Sequence, residues 1–365
     1  VSEHRLARLR EEMLKRGVDA VAVVPSANLF YLTGVQMHLS ERVTLLLVTH
    51  DDAHLIVPTL EAPRVEARAR VPLKLHAWSD AEWVKAGWAS LAQHCALDGQ
   101  HIAADYYSVR ALELMQLQDA ARGAKFSDAS PLFEALRMTK DAAEVDAMRR
   151  AARVLETSLD ALLKEVRVGK TENELAARWQ WLMFEHGADG IPEAPIVASG
   201  SNSALPHTTA TAREIQNGDL VIFDGWCAVD GYFGDITRAF AIGNVSDELK
   251  RIYDLVLRAN EAGRAAAKPG AQCQDVDRAA RKIIADAGYG EYFVHRTGHG
   301  LGLEVHEAPN MVEGDTRILA PGNTFTVEPG IYLAGNGGVR IEDDVVVTQD
   351  GSETLMTYPR EMRVL

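Results

Sequence analysis

The chain has 365 residues, enough for two domains, and its 47% hydrophobic and 25% charged composition is globular. A formal net charge of −14 argues against nucleic acid or an anionic membrane as the main partner, since both demand basic patches. There is no membrane-length apolar run, no apolar signal core near the N-terminus, and no disulfide or zinc spacing among Cys95, Cys227 and Cys273, so a soluble cytoplasmic protein is expected.

Ser2 is placed to cap a first helix whose Leu6, Leu9 and Met13 recur at helical spacing, with Gly17 as its stop. Short apolar runs at 19–24, 44–49, 54–58 and 101–104 read as strands, and a helix is predicted near 108–118. These elements describe an α/β domain over residues 1–128, in which no cluster of His, Asp or Glu reads as a site. After Asp141 a long helix is predicted, with Val145, Met148, Ala152, Leu155, Leu159 and Leu162 along one face. Thr171 and Glu174 form a capping box for another helix, which ends near Gly187. Ser246 caps a helix stopped by Pro269-Gly270, and one more runs from about Gln274 to Gly288. Residues 190–243 and 292–350 are mostly strand and turn, so residues 129–365 read as an α+β domain with helices outside a mainly antiparallel sheet.

Within that domain, residues 221–240 read VIFDGWCAVDGYFGDITRAF, two β-rich runs joined through Asp230-Gly231. A two-residue turn there places Asp224 opposite Thr237 and Asp235 opposite Trp226. The two aspartates then share a face as diagonal neighbours, about 7–8 Å apart at the backbone, unless a bulge shifts the pairing. Carboxylates so placed are either exposed hairpin acids or partners of a proton or a cation.

Other strand blocks also carry ionisable residues where an apolar core strand has none. His207 ends SGSNSALPH; His295, His299 and His306 punctuate FVHRTGHGLGLEVHE; Glu328 lies in NTFTVEPGIY and Glu342 in GGVRIEDDVVVT. Strand alternation projects Arg340 and Glu342 from one face. Each residue alone reads as a turn histidine or a strand-end acid, but a run of such readings is improbable. Two Asp, one His and two Glu make an oxygen-rich set with one imidazole, suited to Mn²⁺, Co²⁺, Fe²⁺ or Zn²⁺. Four carboxylates balance two divalent ions, about 3.5–4 Å apart in hydrolytic sites, which activate a hydroxide and polarise a carbonyl.

The order and wording of these blocks resemble the pita-bread metallopeptidases, the family of methionine aminopeptidase, prolidase and aminopeptidase P. SANLFYLTG (26–34) resembles the N-terminal domain of the Xaa-Pro branch. The resemblance implies a pita-bread catalytic domain behind a smaller creatinase-like domain, with Asp224, Asp235, His299, Glu328 and Glu342 as metal ligands. It implies two divalent ions, Mn²⁺ first and Co²⁺ or Zn²⁺ as alternatives. Glu328 would also handle the proton of the attacking water. His207 and His306 would stabilise the intermediate and serve the leaving nitrogen, His295 would line the proline pocket, and Arg340 and Tyr332 would support the ligands and substrate. The implied activity is Xaa-Pro hydrolysis in short peptides through a hydroxide bridging the ions, by a dipeptidase (prolidase) or an aminopeptidase P. The implied assembly is a homodimer. A binding-only pita-bread protein and a metal-free creatinase-like hydrolase are the alternatives. His38 and Arg42 in QMHLSERV form a candidate clamp for a substrate carboxylate, or else a solvated loop with Arg42 paired to Glu41 or Glu61.

Overall fold

Apolar runs too short for helices and bounded by turn residues become strands covered on both sides, and they set the frame of the N-terminal part. A computed structural model describes residues 2–365; Val1 and the Ser2 side chain, with the capping role expected of it, lie outside the described residues. The chain divides into two compact units, Val1–Arg137 and Met138–Leu365.

In the first unit, six strands form one mixed sheet in the order β4-β3-β2-β1-β5-β6. They are β1 (Ala20–Val23), β2 (Leu45–Thr49), β3 (Ala53–Pro58), β4 (Lys74–Trp78), β5 (His101–Ala104) and β6 (Lys125–Asp128). β1 and β3 are buried along their whole length, as strands with both faces covered must be. The helices are α1 (Ser2–Arg16), α2 (Ala27–Thr33), α3 (Ala62–Arg68), α4 (Lys85–Ala92), α5 (Ala111–Ala120) and α6 (Ser130–Arg137). The SANLFYLTG segment is helical: the Ser26 side chain caps α2, and Gly34 ends it in the left-handed region at φ 75°. The unit closes at 137, not at 128, because α6 is tied back to it. Tyr31 Oη donates to the Leu136 carbonyl (3.1 Å), and Arg137 Nη1 donates to Asn28 Oδ1 (2.7 Å).

The first unit does contain a titratable cluster that the sequence reading lacks. His54 on β3 and His76 on β4 are both buried, with His54 Nδ1 and His76 Nε2 3.0 Å apart and His76 Nδ1 2.8 Å from Ser90 Oγ. Burial lowers both imidazoles, His76 to about 4 with His54, His94 and Lys74 adding repulsion; at His54 the nearby Asp52 opposes the shift. A base whose folded pKa is depressed binds fewer protons folded than unfolded. Its stability contribution is complete above the unfolded value near 6.5 and is lost as pH falls from there toward 4. Urea midpoints should therefore drop across that window, and His76→Gln should flatten the part of the slope this pair supplies. An identical slope in the variant would refute the assignment.

In the second unit, α7 (Ala142–Leu163) and α8 (Glu172–Glu185) each open with a full capping box, at Asp141/Glu144 and Thr171/Glu174. α7 buries Met148, Ala152, Leu155, Leu159 and Leu162, while Val145 lies at the edge of that face. α9 (Asp247–Ala266), capped by Ser246, and α10 (Cys273–Asp286) pack together. Strands β7 (Ile196–Ser199), β8 (Leu220–Val229), β9 (Tyr232–Ala241), β10 (Gly298–Gly300), β11 (Glu307–Met311), β12 (Thr324–Val327), β13 (Gly330–Leu333), β14 (Gly337–Arg340), β15 (Asp343–Val347), β16 (Ser352–Thr354) and β17 (Arg363–Val364) follow. They make a four-stranded sheet β17-β9-β8-β7, a five-stranded sheet β11-β10-β12-β15-β16 and the hairpin β13-β14. Every pairing in this unit is antiparallel except β17 with β9. No described helix is long and apolar enough to cross a membrane.

Candidate active site

The β8-β9 hairpin turns at Asp230 (φ 53°) and Gly231 (φ 81°), the two positive values a primed turn requires. Pairing runs without a bulge, Asp224 opposite Thr237 and Trp226 opposite Asp235, as the sequence predicts. Neither aspartate is an exposed hairpin acid, since both are buried.

His299 is no turn residue either. It sits in β10, between β11 and β12 in the five-stranded sheet, and its flanking glycines explain the packing. A Cβ on Gly298 would fall 1.8 Å from the Thr326 carbonyl oxygen, and one on Gly300 2.3 Å from that of Ala308. Only glycine lets the neighbouring strands approach so closely. The imidazole Nδ1 is 3.1 Å from the Gly300 carbonyl, so it carries the proton, and Nε2 points its lone pair toward Glu328 Oε1 at 3.3 Å. Thr326 Oγ1 accepts from the His299 backbone N–H and donates to Glu328 Oε1.

Glu342 arrives by a route different from the single strand expected for 339–344. β14 ends at Arg340 and the chain crosses from its partner β13 to pair as β15 with β12. At the crossing Glu342 bridges to Thr237 on β9, its N–H donating to the Thr237 carbonyl at 3.1 Å. Thr237 Oγ1 donates to Glu342 Oε2 at 2.6 Å and accepts from Arg340 Nε at 3.3 Å, so Arg340 and Glu342 do meet on one side.

One ligand atom each from Asp235, His299 and Glu342 lies within 4.8 Å of the other two, a spacing that can hold a metal ion. Asp224 and Glu328 complete the ring of acids along one cavity of about 1270 Å³. Its electrostatics call for cations. Burial raises Asp235, followed by repulsion from Asp224, Asp344 and Glu328; burial also raises Glu342, with Asp235 next. Burial pushes Glu328 up to about 7, with Arg340 pulling against it. Asp235 Oδ1 has no hydrogen-bond partner, although its atom is sealed from solvent. A buried carboxylate oxygen left unpaired among like charges fits a bound divalent ion.

The remaining predicted residues gather around this centre. Arg340 donates to Asp224 Oδ2, to Tyr332 Oη at 2.8 Å and to the Pro206 carbonyl at 3.3 Å. Tyr332 Oη is also 2.8 Å from His295 Nε2, and burial lowers His295 to about 4, leaving a neutral ring. The His306 ring packs 4.2 Å from that of His299, and His207 lines the same cavity from a turn open to solvent. The loop carrying His207 is fastened at both roots by buried Glu172, which accepts from the N–H groups of Ser199 (2.7 Å) and Thr211 (3.0 Å). In the first unit, Arg42 is already engaged by Glu41, one of its two expected partners, and by Asp80 through two bonds of 3.0 Å, in place of Glu61.

Sequence reasoning missed the support for the ligands. Asp344 is fully buried, and its Oδ2 accepts from the Asp235 backbone N–H at 3.0 Å. Thr326 was visible only as a strand neighbour. The pairing that set Thr237 opposite Asp224 located it without revealing its bond to Glu342.

Residues 146–349 match the model of metallopeptidase family M24, and residues 5–139 that of the creatinase/prolidase N-terminal domain. A Xaa-Pro dipeptidase of Pyrococcus horikoshii is 34% identical over 99% of this chain and 99% of its own length. The crystal structure of a dipeptidase from Pyrococcus horikoshii superimposes with a TM-score of 0.93 at 38% identity, covering 99% of this chain and 100% of that one. Recombinant prolidase from Thermococcus sibiricus gives a TM-score of 0.95 at 34% identity, over 100% and 99% of the two chains. With the family matched over most of the sequence and the fold over all of it, the chain belongs to metallopeptidase family M24: a divalent-metal-dependent exopeptidase whose pita-bread catalytic domain follows a creatinase-type N-terminal domain.

Proposed function

We propose that this exopeptidase hydrolyses Xaa-Pro dipeptides, with Asp224, Asp235, His299, Glu328 and Glu342 holding two divalent ions, Mn²⁺ first and Co²⁺ or Zn²⁺ as alternatives. The observation that carries this reading is the partnerless Asp235 Oδ1 inside a buried ring of acids that opens on a peptide-sized cavity. When bound, the ions supply Lewis acidity that makes water nucleophilic near neutral pH and polarises the scissile carbonyl.

The chain's own residues do the rest. Glu328, poised near 7, takes the proton of the attacking water and passes it on. His306 and His207, on the open side of the cavity, donate to the developing oxyanion and to the departing proline nitrogen. That nitrogen belongs to a tertiary amide with no N–H, so proton delivery is what lets it leave. His295, neutral and fixed by Tyr332, presents a flat ring to the pyrrolidine. Arg340 holds Asp224 and Tyr332 in register. The reading also includes a homodimer and a reducing compartment, the latter in keeping with three unpaired cysteines.

A second reading, an Xaa-Pro aminopeptidase, is favoured by the cavity volume of about 1270 Å³, more than a dipeptide fills. Chelator-stripped protein reloaded separately with Mn²⁺, Co²⁺ and Zn²⁺ decides between them on Xaa-Pro and Xaa-Pro-Xaa substrates. Cleavage of the dipeptide well above the tripeptide, restored by metal, is expected. The reverse preference installs the aminopeptidase, and activity indifferent to stripping removes the metal assignment.

A further inference from the structure

None of the described residues of α10 lines the cavity, yet two of them are bonded to the segment that carries His295 and leads into β10. Asp277 and Arg281 stand four apart, one turn along the same face of the helix. Asp277 is 1% exposed, and Arg281 grips it with two bonds of 3.0 Å, from Nε to Oδ2 and from Nη2 to Oδ1. An acid this deeply buried is costly to hold unless its remaining lone pairs are also used.

The two partners take different parts of residues 293–297. Asp277 Oδ1 accepts from the Thr297 N–H at 3.1 Å and from Thr297 Oγ1 at 2.7 Å. The Thr297 carbonyl in turn accepts the Glu328 N–H at 2.7 Å. One residue therefore separates Asp277 from the group assigned above to the proton of the attacking water. Arg281 donates instead from Nη1 to the Phe293 carbonyl at 2.8 Å and from Nη2 to the His295 carbonyl at 2.7 Å. Its guanidinium lies 4.1 Å over the Phe293 ring, which meets the His295 ring edge-on with centroids 5.2 Å apart. A planar fork engaged at three nitrogens leaves the His295 backbone little freedom.

We propose that Asp277 and Arg281 are positioning residues with divided tasks: Asp277, through Thr297, sets Glu328 for proton transfer, and Arg281, through the His295 carbonyl, sets the ring that meets the substrate proline. This rests on the Xaa-Pro reading above and deepens it. Proton transfer belongs to the chemical step, so a displaced Glu328 shows in kcat. Contact with the proline ring is made in ground and transition states alike, so a displaced His295 shows in KM. A pair that merely braced the fold would lower stability and leave both constants of the folded enzyme as they are.

The test measures kcat and KM on an Xaa-Pro dipeptide, the inhibition constant of free proline, bound metal and the urea midpoint. It compares metal-loaded wild type with Asp277→Asn, Thr297→Val, Arg281→Lys and Arg281→Gln. Asp277→Asn should lower kcat about 10- to 100-fold, the range for a catalytic group moved by about 1 Å, with KM and the proline constant nearly unchanged. Arg281→Gln should raise KM and the proline constant together, about 10-fold, with kcat changing far less. Lysine keeps the ion pair but not the fork, so Arg281→Lys should restore the urea midpoint more than it restores proline affinity. Thr297→Val deletes only the hydroxyl bond to Asp277. It should show a smaller loss in kcat, and it carries the same test should Asp277→Asn fail to fold. Unchanged kcat and KM at full metal content, or the same change in both arms, overturns the proposal while the Xaa-Pro reading stands. A metal-loaded wild type inert toward Xaa-Pro peptides removes that reading and the division of tasks together.

Discussion

Asparagine at position 235 should raise the melting temperature of the metal-free protein while abolishing activity and the response to metal. Asp235 is desolvated and repelled by Asp224, Asp344 and Glu328, so its folded pKa lies well above the ordinary carboxylate value. A carboxyl shifted upward stabilises the fold fully below its unfolded pKa, and that contribution is lost as pH rises through the folded one. At neutral pH the charge is a burden on the metal-free fold, and asparagine, of the same shape, removes it. Each kcal/mol relieved is worth about 2–4 °C in Tm for a unit of this size, and the gain should grow with pH. In the loaded enzyme the same change deletes a proposed ligand. The metal-induced rise in Tm should vanish, and kcat/KM should drop by about 10³-fold or more, since a catalytic ion contributes several kcal/mol to the transition state. Thermal melts with and without Mn²⁺ check both halves. An asparagine variant that keeps the metal-induced shift would remove Asp235 from the ligand set.

The second large effect concerns Arg238, which touches no substrate. It is 1% exposed and donates to the carbonyls of Thr237, Glu342, Tyr358 and Pro359, and to Asp343 Oδ1 at 2.8 Å. Asp343 is held below the ordinary carboxylate range against its own desolvation, by Arg238 first and then Arg360. Removing one partner of a buried ion pair leaves an uncompensated charge, at a cost of about 3–5 kcal/mol. Arg238→Ala also strands the carbonyls of Glu342, Tyr358 and Pro359, while that of Thr237 keeps the Glu342 N–H, so a loss in that range is expected in urea unfolding, despite the remaining Arg360 contact at 2.7 Å. A loss below about 1 kcal/mol would mean that water takes over the vacated bonds. Thr237 and Glu342 hang from the same guanidinium, so metal affinity should fall along with stability.

The parts legible from sequence are those governed by local rules. The Asp230-Gly231 turn fixed a register in which every later pairing followed, and capping boxes located the starts of α7 and α8. The short helices α2, α3, α4 and α6 and the strands β4 and β6 escaped, because their apolar residues are too few to establish a period. α6 fooled the domain boundary for a further reason. Its attachment depends on Tyr31 and Asn28, more than a hundred positions away, and no local pattern carries such a contact. At the site, charged residues in apolar strands were conspicuous, whereas Thr237, Thr326 and Asp344 look ordinary in sequence and acquire their roles only when strands cross. His54 and His76 escaped likewise, since adjacent parallel strands, not spacing, bring them together.

The crossing of Glu342 between two sheets has a bearing on turnover of the protein. Asp224 and Asp235 hang from one sheet, His299 from the other, and Glu342 from the strand switch that stitches them, so the proposed cage exists only once both layers have closed. Ions that recognise the assembled layers alone act as a clasp, holding the native population up in proportion to the logarithm of their free concentration. Starvation for metal would then shorten the lifetime of the polypeptide as well as silence it, by enlarging the fraction open to proteases.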